Sequence, residues 1–286
     1  MPKITTRLNV QNHDRDSIGM TYVYPVVSRR AGGVSVGVNL NTNNACNWRC
    51  IYCQVPGLTR GAAPPVDLPG LRRELIEFLN EAVHGNFMRS RVPAGLRRLN
   101  DIALSGNGEP TSSRQFGDVI DLIAEVRSVV KLPAEVKLVL ITNGSLVHRP
   151  AVAAALARMR ALNGEVWFKL DRASDAGIYR VNGTRVGIAR ARRNIAISAH
   201  ACPTWVQTCV HAIDGRPPSE AEQDAYLSFL SDRLAEQVPL QGVLLYGLAR
   251  PSCQPEASRL SGLPPGWLEA YAGRISALGL TVKLTP

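Results

Sequence analysis

Residues 34–53 read VSVGVNLNTNNACNWRCIYC. From Val34 to Leu40 the apolar residues fall on alternate positions, the period of a strand with one buried face. A loop with three cysteines follows at once: Cys46, Cys50 and Cys53, spaced C-x3-C-x2-C. Three thiols crowded into one short loop point to a metal. Iron–sulfur clusters are held by thiolates, normally four. Three ligands close in sequence therefore leave one iron open, which is what a catalytic metal needs. A zinc site instead draws four ligands, with cysteine pairs in separate places, and three ordinary loop cysteines are the bland alternative. The other cysteines, Cys202, Cys209 and Cys253, are scattered at irregular spacing. They read either as an auxiliary cluster or as plain thiols, a buried free cysteine being common in a strand such as the one around Cys209.

Outward from this loop, strand-like runs alternate with helical ones. Strands are expected at 101–104, 136–141, 165–170, 204–213, 242–248 and 281–284. Helices are expected near 71–83, 116–129, 151–162, 173–179, 186–199, 219–237 and 265–278. Ser219 with Glu222 three positions on reads as a capping box at the start of one of them. Alternating β and α units predict a parallel sheet with right-handed crossovers. Six such units predict an α/β fold, a partial (β/α)6 TIM-like barrel over residues 34–286, with its chemistry at the C-terminal ends of the strands. Residues 1–33 are polar, end in the turn signal Arg29-Arg30-Ala31-Gly32-Gly33, and are expected to pack on the barrel as an N-terminal segment.

The chain has 286 residues and a formal net charge of +10, from 33 basic and 23 acidic residues. Arginines cluster at Arg29-Arg30, Arg72-Arg73, Arg89 with Arg91, Arg97-Arg98, and from Arg190 to Arg193. Such a balance favours anionic partners: nucleic acid, or an acidic electron-donor protein. A solvated surface charge is the blander reading. No apolar run approaches the ~18 residues of a membrane span, and the polar start lacks a signal peptide's apolar stretch. A cytoplasmic location without membrane partners is the expectation, and six cysteines there are not expected to form disulfides.

Past the expected strand 101–104 stands Ser105-Gly106-Asn107-Gly108-Glu109-Pro110. Its glycines allow a backbone to approach a ligand closely, and Glu109 is able to pair with an ammonium group. Taken together, the cysteine loop with Tyr52 just before its last cysteine and this glycine-rich turn resemble the radical S-adenosylmethionine (SAM) superfamily. The resemblance implies one 4Fe–4S cluster on Cys46, Cys50 and Cys53, with SAM chelating the open iron. One electron from a donor such as flavodoxin or ferredoxin would cleave SAM to methionine and a 5′-deoxyadenosyl radical. It further implies that Tyr52 packs near the adenine. Gly106, Asn107, Gly108 and Glu109 would meet the amino-acid end of SAM, with Thr142 and Asn143 beside its methionine. At the end of the next strand, Lys169 is placed to neutralise a carboxylate and Asp171 to accept from ribose hydroxyls.

The likeness widens to Pro25–Arg30, Val34–Asn39, Ile141–Leu146 and Lys169–Asp171, where the chain resembles the wyosine-synthetase-related group. Known members of that group build a tricyclic base on tRNA, using pyruvate and a second cluster. No cysteine precedes Cys46 here, so the second cluster is not implied. What is implied is the fold, SAM cleavage and an RNA-like anionic substrate. Action on a peptide, a protein (including activation of a glycyl-radical enzyme) or a small molecule is the alternative. A non-enzymatic iron–sulfur carrier is a third class, and it predicts metal binding without SAM binding.

Overall fold

The computed structural model describes residues 8, 18–28, 32–248 and 250–285. One sheet holds eight strands: β1 (Val23–Ser28), β2 (Gly33–Val38), β3 (Leu99–Leu104), β4 (Lys137–Thr142), β5 (Gly164–Lys169), β6 (Thr204–Cys209), β7 (Leu240–Tyr246) and β8 (Val282–Thr285). Each strand pairs with the next in chain order. The β1–β2 pair is antiparallel and every other pair is parallel. Because β1 and β8 are the two edges, the curled sheet is an open half-barrel. The crossovers are α1 (Leu68–Val83), α2 (Phe116–Val129), α3 (Pro150–Arg160), α4 (Asp175–Asn182) with α5 (Ile188–Ala201), α6 (Glu220–Ala235) and α7 (Pro265–Ser276). Among the described residues no helix is long and apolar enough to cross a membrane.

The side-chain alternation of the strands sorts the two faces. Ile102, Leu104, Leu138, Leu140, Val166, Phe168, Val206, Val243 and Leu245 join the large core beneath the helices. Their neighbours Ala103, Val139, Trp167, Trp205 and Leu244 form a separate small cluster on the concave face. The same concave register continues through Lys169, Gln207 and Tyr246 at the strand ends, so the fold carries polar groups into the mouth of the half-barrel while its floor stays apolar.

Two features depart from the sequence reading. The first is β1, which the polar look of residues 1–33 conceals. All six of its residues are buried, so it lacks the in–out alternation of a half-exposed strand, and Pro25 is tolerated because β1 is an edge strand. The second is the run 204–213. Strand β6 stops at Cys209, and Ala212–Ile213 turns away to pair antiparallel with Leu260–Ser261. Ser219 and Glu222 do form the capping box at the start of α6.

The entry into β1 is held by one side chain of α1. The Glu74 carboxylate accepts from the backbone N–H of Thr21 (2.8 Å), Tyr22 (2.8 Å) and Val23 (3.1 Å). Glu74→Ala leaves these donors without that acceptor and is expected to cost about 2 kcal/mol. The check is urea denaturation, where an unchanged midpoint would show that water replaces the carboxylate at no cost.

Candidate functional site

The segment from Asn39 to Gly61 crosses the mouth of the half-barrel, and its backbone needs partners where it is buried. Asparagines supply many of them. Asn39 Oδ1 accepts from the N–H of Asn41 (3.1 Å) and of Asn107 (3.0 Å). Asn41 Nδ2 donates to the Ala45 carbonyl at 2.9 Å, and Asn107 Nδ2 donates to Asn44 Oδ1 at 2.6 Å. Asn47 donates to Ser145 Oγ (2.8 Å) and accepts from Asn143 Nδ2 (2.8 Å). From the far side, Arg49 N–H bonds the Asn182 carbonyl (3.1 Å) and Ile51 N–H the Val181 carbonyl (2.9 Å). Arg60 donates to the carbonyls of Asn47 and Gly183. Residues 252–254 close the remaining edge: Ser252 Oγ donates to the Ile51 carbonyl (2.7 Å) and Cys253 N–H to the Cys53 carbonyl (2.9 Å).

The glycine-rich turn after β3 meets this loop directly. A Cβ on Gly108 would lie 2.1 Å from the Ala45 carbonyl oxygen, next to Cys46. Only glycine permits that approach. Glu109 turns inward and is buried. Its Oε1 accepts from Thr111 N–H (3.2 Å), Thr111 Oγ1 (2.5 Å) and Thr142 Oγ1 (2.5 Å), and its Oε2 from Asn143 N–H (2.7 Å). Burial pushes its pKa up, against the pull of those four donors. The turns after β3 and β4 are thus tied together through one carboxylate.

Asp171, just past β5, is a second buried hub. Its Oδ2 accepts from the Tyr52 hydroxyl and from Asn182 Nδ2 (2.6 Å), and its Oδ1 from Cys209 N–H (2.8 Å). Asn182 Nδ2 also lies 3.3 Å from Cys50 Sγ. These protein donors occupy the carboxylate expected to face ribose hydroxyls, so its observed work is to fix Tyr52 and the Cys50 side of the loop. The Tyr52 ring lies 5.4 Å from that of His211, and Lys169 Nζ stands 4.9 Å above it. Lys169 also reaches the Tyr246 hydroxyl at 3.4 Å. Burial opposes its charge, but Tyr246, Asp171, Cys50 and Cys209 outweigh that and hold its pKa above the ordinary range.

Burial pushes the Cys46 thiol up to about 12 and Cys50 to about 11. Such thiols stay protonated at neutral pH, and a bound cation is what would draw them into the thiolate form. Among the described residues no three cysteine, histidine or acidic side chains converge as ligands of a single metal ion. A cubane cluster places each cysteine on a different iron, so its ligands stand further apart, and the all-sulfur donor set is the one such a cluster takes. Asn107 Oδ1, Gln207 Oε1 and His211 Nε2 are buried around the same mouth without a hydrogen-bond partner among the described residues. The three cysteines and these orphaned polar atoms fit a cluster with a polar ligand beside it. Cys202 lies in the core under the helices, Cys209 packs near Tyr52, and Cys253 is exposed.

Every site residue named from the sequence therefore comes to one end of the half-barrel. Asn39, Asn41, Asn44, Asn47, Asn182 and Ser252 were not singled out, although they hold or line the site. The only signal available was the density of asparagines between 39 and 47.

No protein-family model matches the chain. A UPF0026 protein of Helicobacter pylori is 31% identical over 137 residues, which are 46% of this chain and 37% of that protein. The chain thus aligns with well under half the length of this curated relative. The half-barrel is also the fold of two solved structures. A radical SAM methyltransferase from Sphaerobacter thermophilus superposes with a TM-score of 0.56 at 13% identity, over 88% of this chain and 66% of that one. Streptococcus suis SuiB, bound to S-adenosylmethionine, gives 0.51 at 12% identity, over 87% and 45%. The likeness is one of fold.

Gly108→Ala must displace the Ala45 carbonyl. Its expected cost is about 2 kcal/mol, read as a lowered thermal midpoint, and an unchanged midpoint would mean the loop yields freely. His211 supplies a pH test. Burial, with Arg172 adding, lowers its pKa from 6.5 to about 4. A histidine held neutral in the fold contributes stability above pH 6.5, and that contribution is lost as pH falls toward 4, by roughly 3 kcal/mol at most. Denaturation of wild type against His211→Gln should show their stability difference shrinking over that window, and a difference independent of pH would refute it.

Proposed function

We propose that this chain is a radical SAM enzyme, carrying a 4Fe–4S cluster on Cys46, Cys50 and Cys53. One observation carries the reading: the C-x3-C-x2-C loop lies across the strand-end mouth of a half-barrel, with Gly108 of the glycine-rich turn packed against the carbonyl beside Cys46. When bound, the cluster supplies one electron that cleaves SAM at its open iron, giving methionine and a 5′-deoxyadenosyl radical.

The chain's own residues hold and shape that site. Glu109, with four donors on its two oxygens, fixes Thr142 and Asn143 and so sets the two turns that would face the amino-acid end of SAM. Lys169 brings a cation to the same mouth, suited to a carboxylate. Tyr52, locked by Asp171, offers a flat apolar face for adenine. Gln207 and His211 bring polar atoms that are unpaired among the described residues. A low-potential carrier such as flavodoxin or ferredoxin is the reductant. The Arg-rich surface and the wyosine-synthetase-related stretches support a nucleic-acid substrate, a tRNA or another nucleobase, over a peptide or small molecule.

The test is anaerobic reconstitution with iron and sulfide, followed by reduction in the presence of SAM. Wild type should hold about four irons, absorb in the visible as iron–sulfur proteins do, and release 5′-deoxyadenosine. Cys50→Ala should lose both the absorbance and the 5′-deoxyadenosine. Zinc in place of iron in the wild type, or normal SAM cleavage by the variant, would overturn the proposal.

A further inference from the structure

Beside the cysteine loop lies a second, open cleft of about 480 Å³, lined by Thr184, Arg185, Val186, Gly187, Arg190 and Arg193. Val186 also lines the narrow crevice that runs to Trp48, Asn143, Lys169 and Asn182. The wall between them is the segment that begins at Asn182, whose amide touches Cys50, and passes Gly183, whose carbonyl takes the Arg60 guanidinium. The cleft therefore adjoins the proposed catalytic mouth.

Its arginines differ from those around them. Arg172 and Arg180 pair with Glu222, Arg192 with Asp232 and Glu236, and Arg233 with Glu236. Arg185, Arg190 and Arg193 are without an ion-pair or side-chain hydrogen-bond partner among the described residues. Arg190 and Arg193 stand three apart on α5, hence on one face of it, where like charges repel. Three uncompensated guanidinium groups around one cleft cost the free protein stability, and an anion between them reverses the sign. The N-terminus of α5 adds little, because Asp175 Oδ1 already accepts from Ile188 N–H at 2.7 Å.

The chemistry narrows the ligand. Guanidinium forks match phosphate oxygens two at a time. Tyr179, on the helix that leads into the cleft wall, is 60% exposed. Nucleotides pair phosphate with cations and base with an exposed aromatic ring, and Tyr179 offers such a ring on the helix that precedes the arginines in the chain. We infer that Arg185, Arg190 and Arg193 bind the phosphate groups of a nucleotide, and that the exposed ring of Tyr179, on the preceding helix, stacks its base. The nucleotide is part of an RNA strand or a free one. That this ligand is the enzyme's substrate rests on the SAM chemistry proposed above, whereas its binding does not.

The test measures binding of the full reconstituted chain to a fluorescein-labelled single-stranded RNA of mixed sequence, across a salt series, with ATP as competitor. Replacing all three arginines (R185A/R190A/R193A) should weaken RNA binding roughly tenfold or more and flatten the dependence of log affinity on log salt by about two, since three phosphate contacts contribute about 0.7 each. R185K/R190K/R193K should keep most of the slope. Tyr179→Ala should weaken binding about fivefold or more, and Tyr179→Phe should restore it. The control R72A/R158A/R274A removes the same charge from arginines that are already ion-paired, and should leave affinity within about twofold. ATP that displaces RNA through the same arginines assigns a free nucleotide, and ATP that fails to displace it assigns a strand. Wild type that binds neither probe overturns the inference. So does a triple alanine variant that binds like wild type, or a control that loses as much. Iron content and 5′-deoxyadenosine formation, read on the same wild-type protein, separate a failure of the SAM reading from a failure of this site.

Discussion

A long polar loop laid across the open end of a half-barrel must have its buried backbone and amide groups satisfied, and the arrangement of the mouth follows from that constraint. Strand ends provide the partners. The turn after β3 gives Asn107 and the bare Cα of Gly108, the turn after β4 gives Asn143 and Ser145, and the end of α4 gives the carbonyls of Val181 and Asn182. These contacts come from three different βα units. The position of Cys46, Cys50 and Cys53 is therefore a property of the assembled sheet, and no local segment could hold it alone.

Two buried carboxylates knit these units together. Glu109 joins the turns after β3 and β4, and Asp171 joins Tyr52, Asn182 and β6. A buried carboxylate costs free energy unless its oxygens are hydrogen-bonded. Both are, through several donors each, so they act as rigid pins rather than strained charges. The same burial that demands these bonds also pushes the thiols of Cys46 and Cys50 upward. It thereby ties thiolate formation at the loop to the arrival of a cation.

Arginine serves two different ends on this surface. Arg172 and Arg180 are matched by Glu222 of α6, and Arg192 and Arg233 by acids at its C-terminal end, which makes them part of the scaffold. Three are left unmatched among the described residues, around the cleft next to the loop. A net charge of +10 fails to distinguish these uses, because pairing is set by which helices face each other.

The parallel α/β half-barrel and the cysteine site were legible in sequence because their signals are local. Strand and helix periods repeat along the chain, and C-x3-C-x2-C lies within one loop. Phe116–Val129 is a helix at the limits the pattern set. Strand β1 was hidden, since full burial erases alternation. The roles of Asn39, Asn41, Asn47 and Asn182 were hidden as well, because an asparagine gains meaning only from the group it meets across the fold. Glu109 and Asp171 were picked out as ligand contacts, yet several of the hydrogen bonds that occupy them come from distant residues, Thr142 and Asn143 for Glu109 and Tyr52 and Cys209 for Asp171. Composition and spacing determined the chemistry on offer. The folded sheet decided which of those groups are spent on holding the site and which are left facing into it, because hydrogen-bond satisfaction is settled between distant segments at close range.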